Sequence, residues 1–237
     1  MPMNNTRKFF KISSYESTEG GYAITLDGRR ITTQSGVPFI IPFEGLASAV
    51  AFEWNSQVTS ILPETMPLTS FCCTTLDTVI DGRDAIINKL AQYAESDLLC
   101  YRTDESKELL KHQEDHWQPL LDWADVTYDA KLTVTRGITP VEQPSDAIAN
   151  LRHAVESLDI FQLTVLTSIT QVAGSLVIGL CVICGHISAD SAFNTSQLDE
   201  NWQKKKWGED AEEIKHSKTL YTEILNAVRF LDLVRAG

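Results

Sequence analysis

The chain reads as an α+β protein: a small N-terminal domain of antiparallel strands plus one helix over residues 1–60, then a larger, mostly helical orthogonal bundle over 61–237. Two observations predict this. Up to Ile41, short apolar stretches alternate with polar residues around strong turn signals. From Phe43 onward the apolar residues recur three and four apart, the period of helices that bury one face.

Phe9, Phe10 and Ile12 open the strand region, and Gly20-Gly21 reads as a turn. Tyr22, Ile24 and Leu26 alternate with smaller or polar residues, and Asp27-Gly28 is a two-residue hairpin signal. Ile31 to Thr33 returns, and Val37 to Ile41 forms a short strand closed by Pro42. Three or four antiparallel strands follow. Leu46, Val50 and Trp54 then define an amphipathic helix that covers one face of the strands. Beyond Pro63 and Pro67, Leu68, Cys72, Leu76 and Val79 share one stripe, and Ile86, Leu90 and Tyr93 another, with a break expected at Asp81-Gly82. Lys107 to Ala124 is a further helix, bent or split at Pro119. Leu132 to Thr135 reads as a strand that Leu98 to Tyr101 pairs with. Ser145 is the expected N-cap of the next helix. The last helix starts near Asp210, with Ile214, Tyr221, Leu225, Val228 and Leu231 on its apolar stripe.

Ile160 to Gly185 contains no Asp, Glu, Lys or Arg. Its length matches a membrane span. Thr164, Thr167, Ser168, Thr170 and Gln171 crowd its first half, Gly174 and Gly179 interrupt it, and no flanking Lys or Arg orients it. The expectation is two helices broken near Gly174, the second buried on all sides, with no membrane span.

Net charge is -12, with 43% hydrophobic and 22% charged residues. That acidity excludes a phosphate-binding face, so no nucleic acid is expected as partner. The five cysteines are odd in number and set among apolar residues, which fits a reducing compartment better than a disulfide framework. Residues 1–10 lack the apolar stretch of a signal peptide and the Arg-rich stretch of a transit peptide, so the expected location is the bacterial cytoplasm.

Each constellation with the makings of a chemical site lacks a partner. His112 and His116 stand four apart, but Gln113 occupies the position where a zinc protease needs Glu, and no third ligand is evident. Cys181 and Cys184 have CxxC spacing but end an apolar run, without a second ligand pair. They read as core cysteines, and a metal- or thiol-dependent enzyme using either pair is the alternative reading. No phosphate loop or dinucleotide fingerprint is present, so no nucleotide or other cofactor is expected. Two acid-aromatic groups remain: Asp199, Glu200 and Trp202 with Trp207, Glu209 and Asp210, and Glu53 with Trp54. In a helix, Glu200 falls near Lys204 and Asp199 near Lys206. Aromatics ringed by acids suit an interaction hot spot as well as they suit a charged helix surface over packed Trp.

Ten segments occur in a shared order and spacing. They are Arg7-Lys8-Phe9-Phe10-Lys11, Leu26-Asp27-Gly28-Arg29, Phe52-Glu53-Trp54 with Gln57, Thr65-Met66-Pro67-Leu68-Thr69 and Asp97-Leu98-Leu99-Cys100-Tyr101-Arg102. The others are Trp117-Gln118-Pro119-Leu120-Leu121-Asp122-Trp123, Gly137-Ile138 with Pro140-Val141 and Gln143-Pro144, Ala173-Gly174-Ser175-Leu176-Val177, Leu198-Asp199-Glu200-Asn201-Trp202-Gln203 and Trp207-Gly208-Glu209-Asp210. Through them the chain resembles the assembly chaperones for the α subunit of the F(1) sector of ATP synthase, found in mitochondria and α-proteobacteria. Two departures, Ala192-Phe193 where the family carries Trp and the Cys72-Cys73 pair, touch only local packing. The resemblance implies a non-enzymatic chaperone that holds an unassembled α subunit and releases it for α/β assembly. It also implies a client-facing surface at Asp199, Glu200, Trp202, Trp207 and Asp210, with Glu53 and Trp54 as a second patch.

Overall fold

The protein is described by a computed structural model over residues 6–137 and 139–237; Met1 to Asn5, and Ile138 from the shared segments, lie outside the described residues. The described chain forms two compact units, one of residues up to Arg83 with Arg229–Gly237, the other Asp84–Val228. This division and the sequence boundary at residue 60 differ. A carboxylate near the end of the first helix holds the start of the second, so that helix packs with the first unit.

In the smaller unit, β1 (Thr6–Arg7) is followed by β2 (Ser13–Thr18) and β3 (Gly21–Leu26), which pair antiparallel with Ser13 opposite Leu26 and Thr18 opposite Gly21. β2 was hidden in the sequence because Ser-Ser-Tyr-Glu-Ser-Thr is polar and buries only Ser13. β3 is buried from Ala23 to Leu26 and forms the centre of the sheet. Asp27 (φ 49°) and Gly28 (φ 77°) make the expected tight turn into β4 (Arg29–Arg30). β5 (Ile40–Ile41) also pairs with β3, and the carbonyl oxygen of Ile41 lies 2.3 Å from where a Cβ on Gly21 would sit, so only glycine fits. α1 (Glu44–Asn55) buries Leu46, Ala47, Val50 and Ala51. β6 (Ser60–Ile61) pairs antiparallel with β1. α2 (Pro67–Thr74) runs through a π turn at 75–79 into α3 (Ile80–Glu95). The expected break at Asp81-Gly82 does not occur: both lie in the first turn of α3, whose buried Ile87, Leu90, Ala91 and Ala94 hold it as a helix.

In the larger unit, β7 (Tyr101–Arg102) precedes α4 (Lys107–Tyr128), which runs unbroken through Pro119. β8 (Thr135–Arg136) pairs parallel with β7, close to the pairing expected from sequence but one or two residues later. α5 (Ser145–Glu156) begins after Pro144, so Ser145 is the first helical residue rather than the N-cap. α6 (Ile160–Ala173) opens on a capping box between Asp159 and Gln162 and ends at Gly174 (φ 65°). α7 (Leu176–Ile183) is buried at every position, as expected. α8 (Ala189–Ser196), α9 (Leu198–Trp207) and α10 (Ala211–Arg235) complete the chain. The buried positions of α10 are Ile224, Ala227, Phe230, Leu231 and Val234, while Ile214 and Leu225 of the expected stripe are exposed. No helix among the described residues is long and apolar enough to cross a membrane.

Two features fix α7. Gly179 faces α6 so closely that a Cβ would lie 2.7 Å from Leu166 Cδ1 and from Thr170 Oγ1. Asp97, wholly buried, accepts hydrogen bonds from the N–H groups of Leu99 (3.0 Å) and Val177 (3.1 Å). It thereby caps both the short 3-10 turn Leu98–Cys100 and α7.

Gly179→Val should lower unfolding free energy by about 1–3 kcal/mol through overpacking, measured by denaturant titration. Wild-type stability would mean that α6 and α7 are not in tight contact. Burial pushes the Asp97 carboxyl from 3.8 up to about 6, against hydrogen bonds from Ser175, Val177, Leu99 and Leu176 that pull it down. A carboxyl whose folded value is raised stabilises the fold fully below its unfolded value and loses that contribution as pH climbs through the folded value. Asp97→Asn cannot titrate, so its stability should rise relative to wild type between about pH 4 and pH 7, by up to ~3 kcal/mol. A pH-independent difference between the two proteins would exclude this linkage.

Candidate functional site

The acid-aromatic residues lie on α9 and at its junction with α10. Asp199, in the first turn of α9, is half-buried and accepts a hydrogen bond from Gln113 Nε2 at 2.8 Å. Gln113 is buried on α4, and its Oε1 accepts from the Thr103 N–H at 2.8 Å, so Asp199 is tied through it to the strand side of the unit. Burial pushes the Asp199 carboxyl up, while the Gln113 bond and the Arg102 charge pull it down. Arg102 is buried with its guanidinium 5.1 Å from the Trp117 ring centroid, and one of its Nη atoms donates to the Leu99 carbonyl. Its Nε and other Nη have no hydrogen-bond partner, so the nearby carboxylates of Glu114, Asp199 and Asp97 balance its charge at longer range. Trp117, also buried, donates from Nε1 to the Thr195 carbonyl at 2.9 Å, which fixes α8 on α4.

Trp202 is half-buried. The His112 ring lies 6.0 Å away, and Lys206 Nζ sits 5.1 Å from the indole centroid. His112, His116, Asn194, Leu198, Trp202 and Lys205 line a cleft of about 130 Å³. Burial, His116 and Lys205 all push the His112 imidazole down. The two histidine rings meet edge to face at 4.3 Å, with His116 Nδ1 on the His112 carbonyl. No group of three or more metal-ligating side chains occurs among the described residues.

Trp207 is the exposed tryptophan of this group, with 78% of its surface open to solvent. With Glu200, Gln203, Lys204, Glu213 and His216 it lines a groove of about 310 Å³ between α9 and α10. The ion pairs expected along α9 are replaced. Lys204 instead reaches Glu209 at 3.5 Å across Gly208, and Lys206 covers Trp202. Asp210 caps α10: its Oδ1 accepts from the N–H groups of Glu212 (2.9 Å) and Glu213 (2.8 Å), and Glu213 returns a bond to the Asp210 N–H.

Glu53 and Trp54, in the smaller unit, are turned inward. The buried Glu53 carboxylate accepts from Leu68 N–H, Thr69 N–H and Thr69 Oγ1, each at 2.8 Å, and so caps α2. Burial pushes its carboxyl up, and the bonds from Thr69 and Leu68 oppose that. Trp54 packs on Phe10 with ring centroids 5.7 Å apart, beside Leu26, Ile61 and Met66. Among the cysteines, Cys181 is buried and its thiol is pushed up by desolvation, but Cys184 is exposed and hydrogen-bonded to the Tyr128 hydroxyl at 3.1 Å. The expectation that both are core cysteines therefore holds for Cys181 alone, because Cys184 follows the last turn of α7.

Sequence reasoning missed Gln113, Arg102 and Asp97, the polar groups that carry α9 and α7. Asp97 and Arg102 lay within one of the shared segments without an assigned role, and the signal for Gln113 was position: it falls on the same helical stripe as Trp117, Leu120 and Ala124.

Replacing Glu53 by Gln keeps one acceptor but turns an amide NH2 toward a backbone N–H. That leaves a buried donor unpaired, and stability should fall by about 1–3 kcal/mol in denaturant melts. An unchanged midpoint would show that the cap contributes nothing.

The sequence profile of the family described as ATP12 chaperone protein matches residues 7–125. The chain is 36% identical to Atp12 from Paracoccus denitrificans, whose crystal structure superposes with a TM-score of 0.92 over 96% of this chain and 98% of that one. Atu1473 of Agrobacterium tumefaciens, described as a candidate chaperone, is 28% identical with a TM-score of 0.91 over 96% of this chain and 86% of that one. The mitochondrial protein atp12 of Schizosaccharomyces pombe is 25% identical over 232 residues, 90% of this chain and 78% of that protein. With these shared elements, and with the fold common to both solved relatives, the chain belongs to the ATP12 chaperone family.

Proposed function

We propose that this protein is a non-enzymatic assembly chaperone in the bacterial cytoplasm. It holds the unassembled α subunit of the ATP synthase F(1) sector, keeps it from aggregating and yields it to the β subunit. The observation that carries the reading is Trp207. A large aromatic with 78% of its surface exposed, on a groove flanked by Glu200 and Glu213, is what a protein-binding hot spot needs. Membership of a chaperone family supports the class of function. The client is inferred from the resemblance of the ordered segments.

Within this reading the expected site residues divide by what they touch. Glu200 and Trp207 reach the client. Trp202 forms the wall of the neighbouring cleft, Asp199 orients α9 through Gln113, and Asp210 fixes the start of α10. Glu53 and Trp54 act from inside: Glu53 holds α2 on α1, and Trp54 holds the Phe10 segment on α1. Release needs only that the β subunit bind the client face more tightly, since a difference in affinity shifts the equilibrium without nucleotide hydrolysis.

Glu200→Lys and Trp207→Ala change exposed side chains, so both variants should melt like wild type. In a pull-down with purified α subunit each should lose about tenfold or more in retained client. Wild-type retention by both folded variants would remove the α9 surface from the binding site.

A further inference from the structure

Within residues 9–58 of the smaller unit, four large apolar side chains stand in solvent: Phe9 is 68% exposed, Ile12 60%, Phe52 68% and Val58 85%. The backbone brings them together. β1 and β6 pair with Arg7 opposite Ser60, and the Lys8 N–H donates to the Thr59 carbonyl at 2.9 Å, which continues the register to Phe9 opposite Val58. Asn55, at the end of α1, clamps Ser13 with two hydrogen bonds of 2.7 Å, so Ile12 lies at the helix end one turn from Phe52.

The segment is held in this form. The Asp27 carboxylate accepts from the N–H groups of Lys11 (3.0 Å) and Ile12 (3.0 Å), and Phe10 beneath is buried edge-on to Trp54. Its apolar residues therefore face water by construction. With aromatics at ~200 Å² each, the exposed apolar surface is on the order of 400 Å², the size that marks interaction sites on soluble proteins.

The rim states what fits. Residues 6–12 carry Arg7, Lys8 and Lys11 and no acid, in a chain of net charge -12, and the Asp27 carboxylate beside them is engaged by the Lys11 and Ile12 N–H groups. Lys8 Nζ is engaged by the Gln57 carbonyl and the Phe10 ring, while Arg7 and Lys11 are exposed. A second copy would set this basic rim against itself in a two-fold contact. An anionic membrane would be repelled by the overall charge. A protein segment that is apolar and flanked by carboxylates satisfies both halves of the surface.

We propose that Phe9, Ile12, Phe52 and Val58, with Arg7 and Lys11, form a second docking surface for an apolar, carboxylate-flanked segment of the unassembled client. The inference rests on the α-subunit reading above and adds a site separate from the α9 groove. The test uses the full chain co-expressed with α subunit and without β, reading soluble α. Phe9→Ser with Phe52→Ser should keep the wild-type melting temperature and reduce soluble α about tenfold. Lys11→Glu, which leaves the aromatics in place, should reduce it several-fold, with the deficit shrinking in high salt. Unchanged soluble α with either variant overturns the second surface while the α-subunit reading stands. Failure of wild type to hold α soluble overturns both. The surface would instead be a self-contact if the double variant changes only the mass in light scattering. It would be a lipid contact if the double variant changes only co-sedimentation with phosphatidylserine vesicles. Either outcome also overturns the proposal.

Discussion

Asp97 is a wholly buried carboxylate, and the interior of the larger unit depends on how it is satisfied. Isolated in an apolar interior, its charge would cost several kcal/mol. It persists because Leu99 and Val177 donate to it, joined by Ser175 and Leu176. The Leu99 and Val177 donors are otherwise unpaired N–H groups of two helical starts, so one side chain resolves two needs. Once α7 is seated, Gly179 lets α6 close on it, and α4 and α8 pack on the remaining faces. The position of α9 follows at one further remove, because Gln113 and Trp117 of α4 hold Asp199 and α8. Glu53 repeats the device in the smaller unit, where a carboxylate on α1 caps α2.

This use of charge explains which parts of the fold were legible in the sequence. Signals of local backbone chemistry came through: the Asp27-Gly28 turn, the Gly174 break, and the buried α7 within an uncharged run. Each depends on residues adjacent in the chain. What failed to come through depends on distant partners. β2 buries only Ser13 and leaves its other side chains exposed or half-exposed, so its pairing with β3 left no apolar alternation to read. Asp81-Gly82 is a turn signal that packing overrode. The buried stripe of α10 was misplaced because Ile214 and Leu225 are exposed while Ala227 is not.

The candidate site was legible in part for the same reason. An acid beside a tryptophan reads alike whether it faces solvent or interior. Glu53 and Asp199 carry the same composition as Glu200, yet the first two spend their oxygens on Thr69 and Gln113. Trp54 and Trp207 divide likewise: one packs on Phe10, the other stands in solvent. Sequence located the segments; only the fold separates the groups that position from those that present.

That separation bears on how a chaperone of this kind lets go. A holdase must cover an apolar client face tightly enough to prevent aggregation, yet lose it to the true partner. A deep, preformed pocket would work against the second need. The surfaces offered here are shallow, with one or two exposed aromatics on hydrogen-bonded supports and charges at their edges. Rigid support limits the ordering cost of binding, so few contacts suffice for moderate affinity. Rim charges speed and orient encounter more than they slow departure. With each unit held by its own buried carboxylate, the exposed residues proposed above to meet the client are not the ones that cap the helices, and on that proposal their affinity is adjustable without loss of the fold.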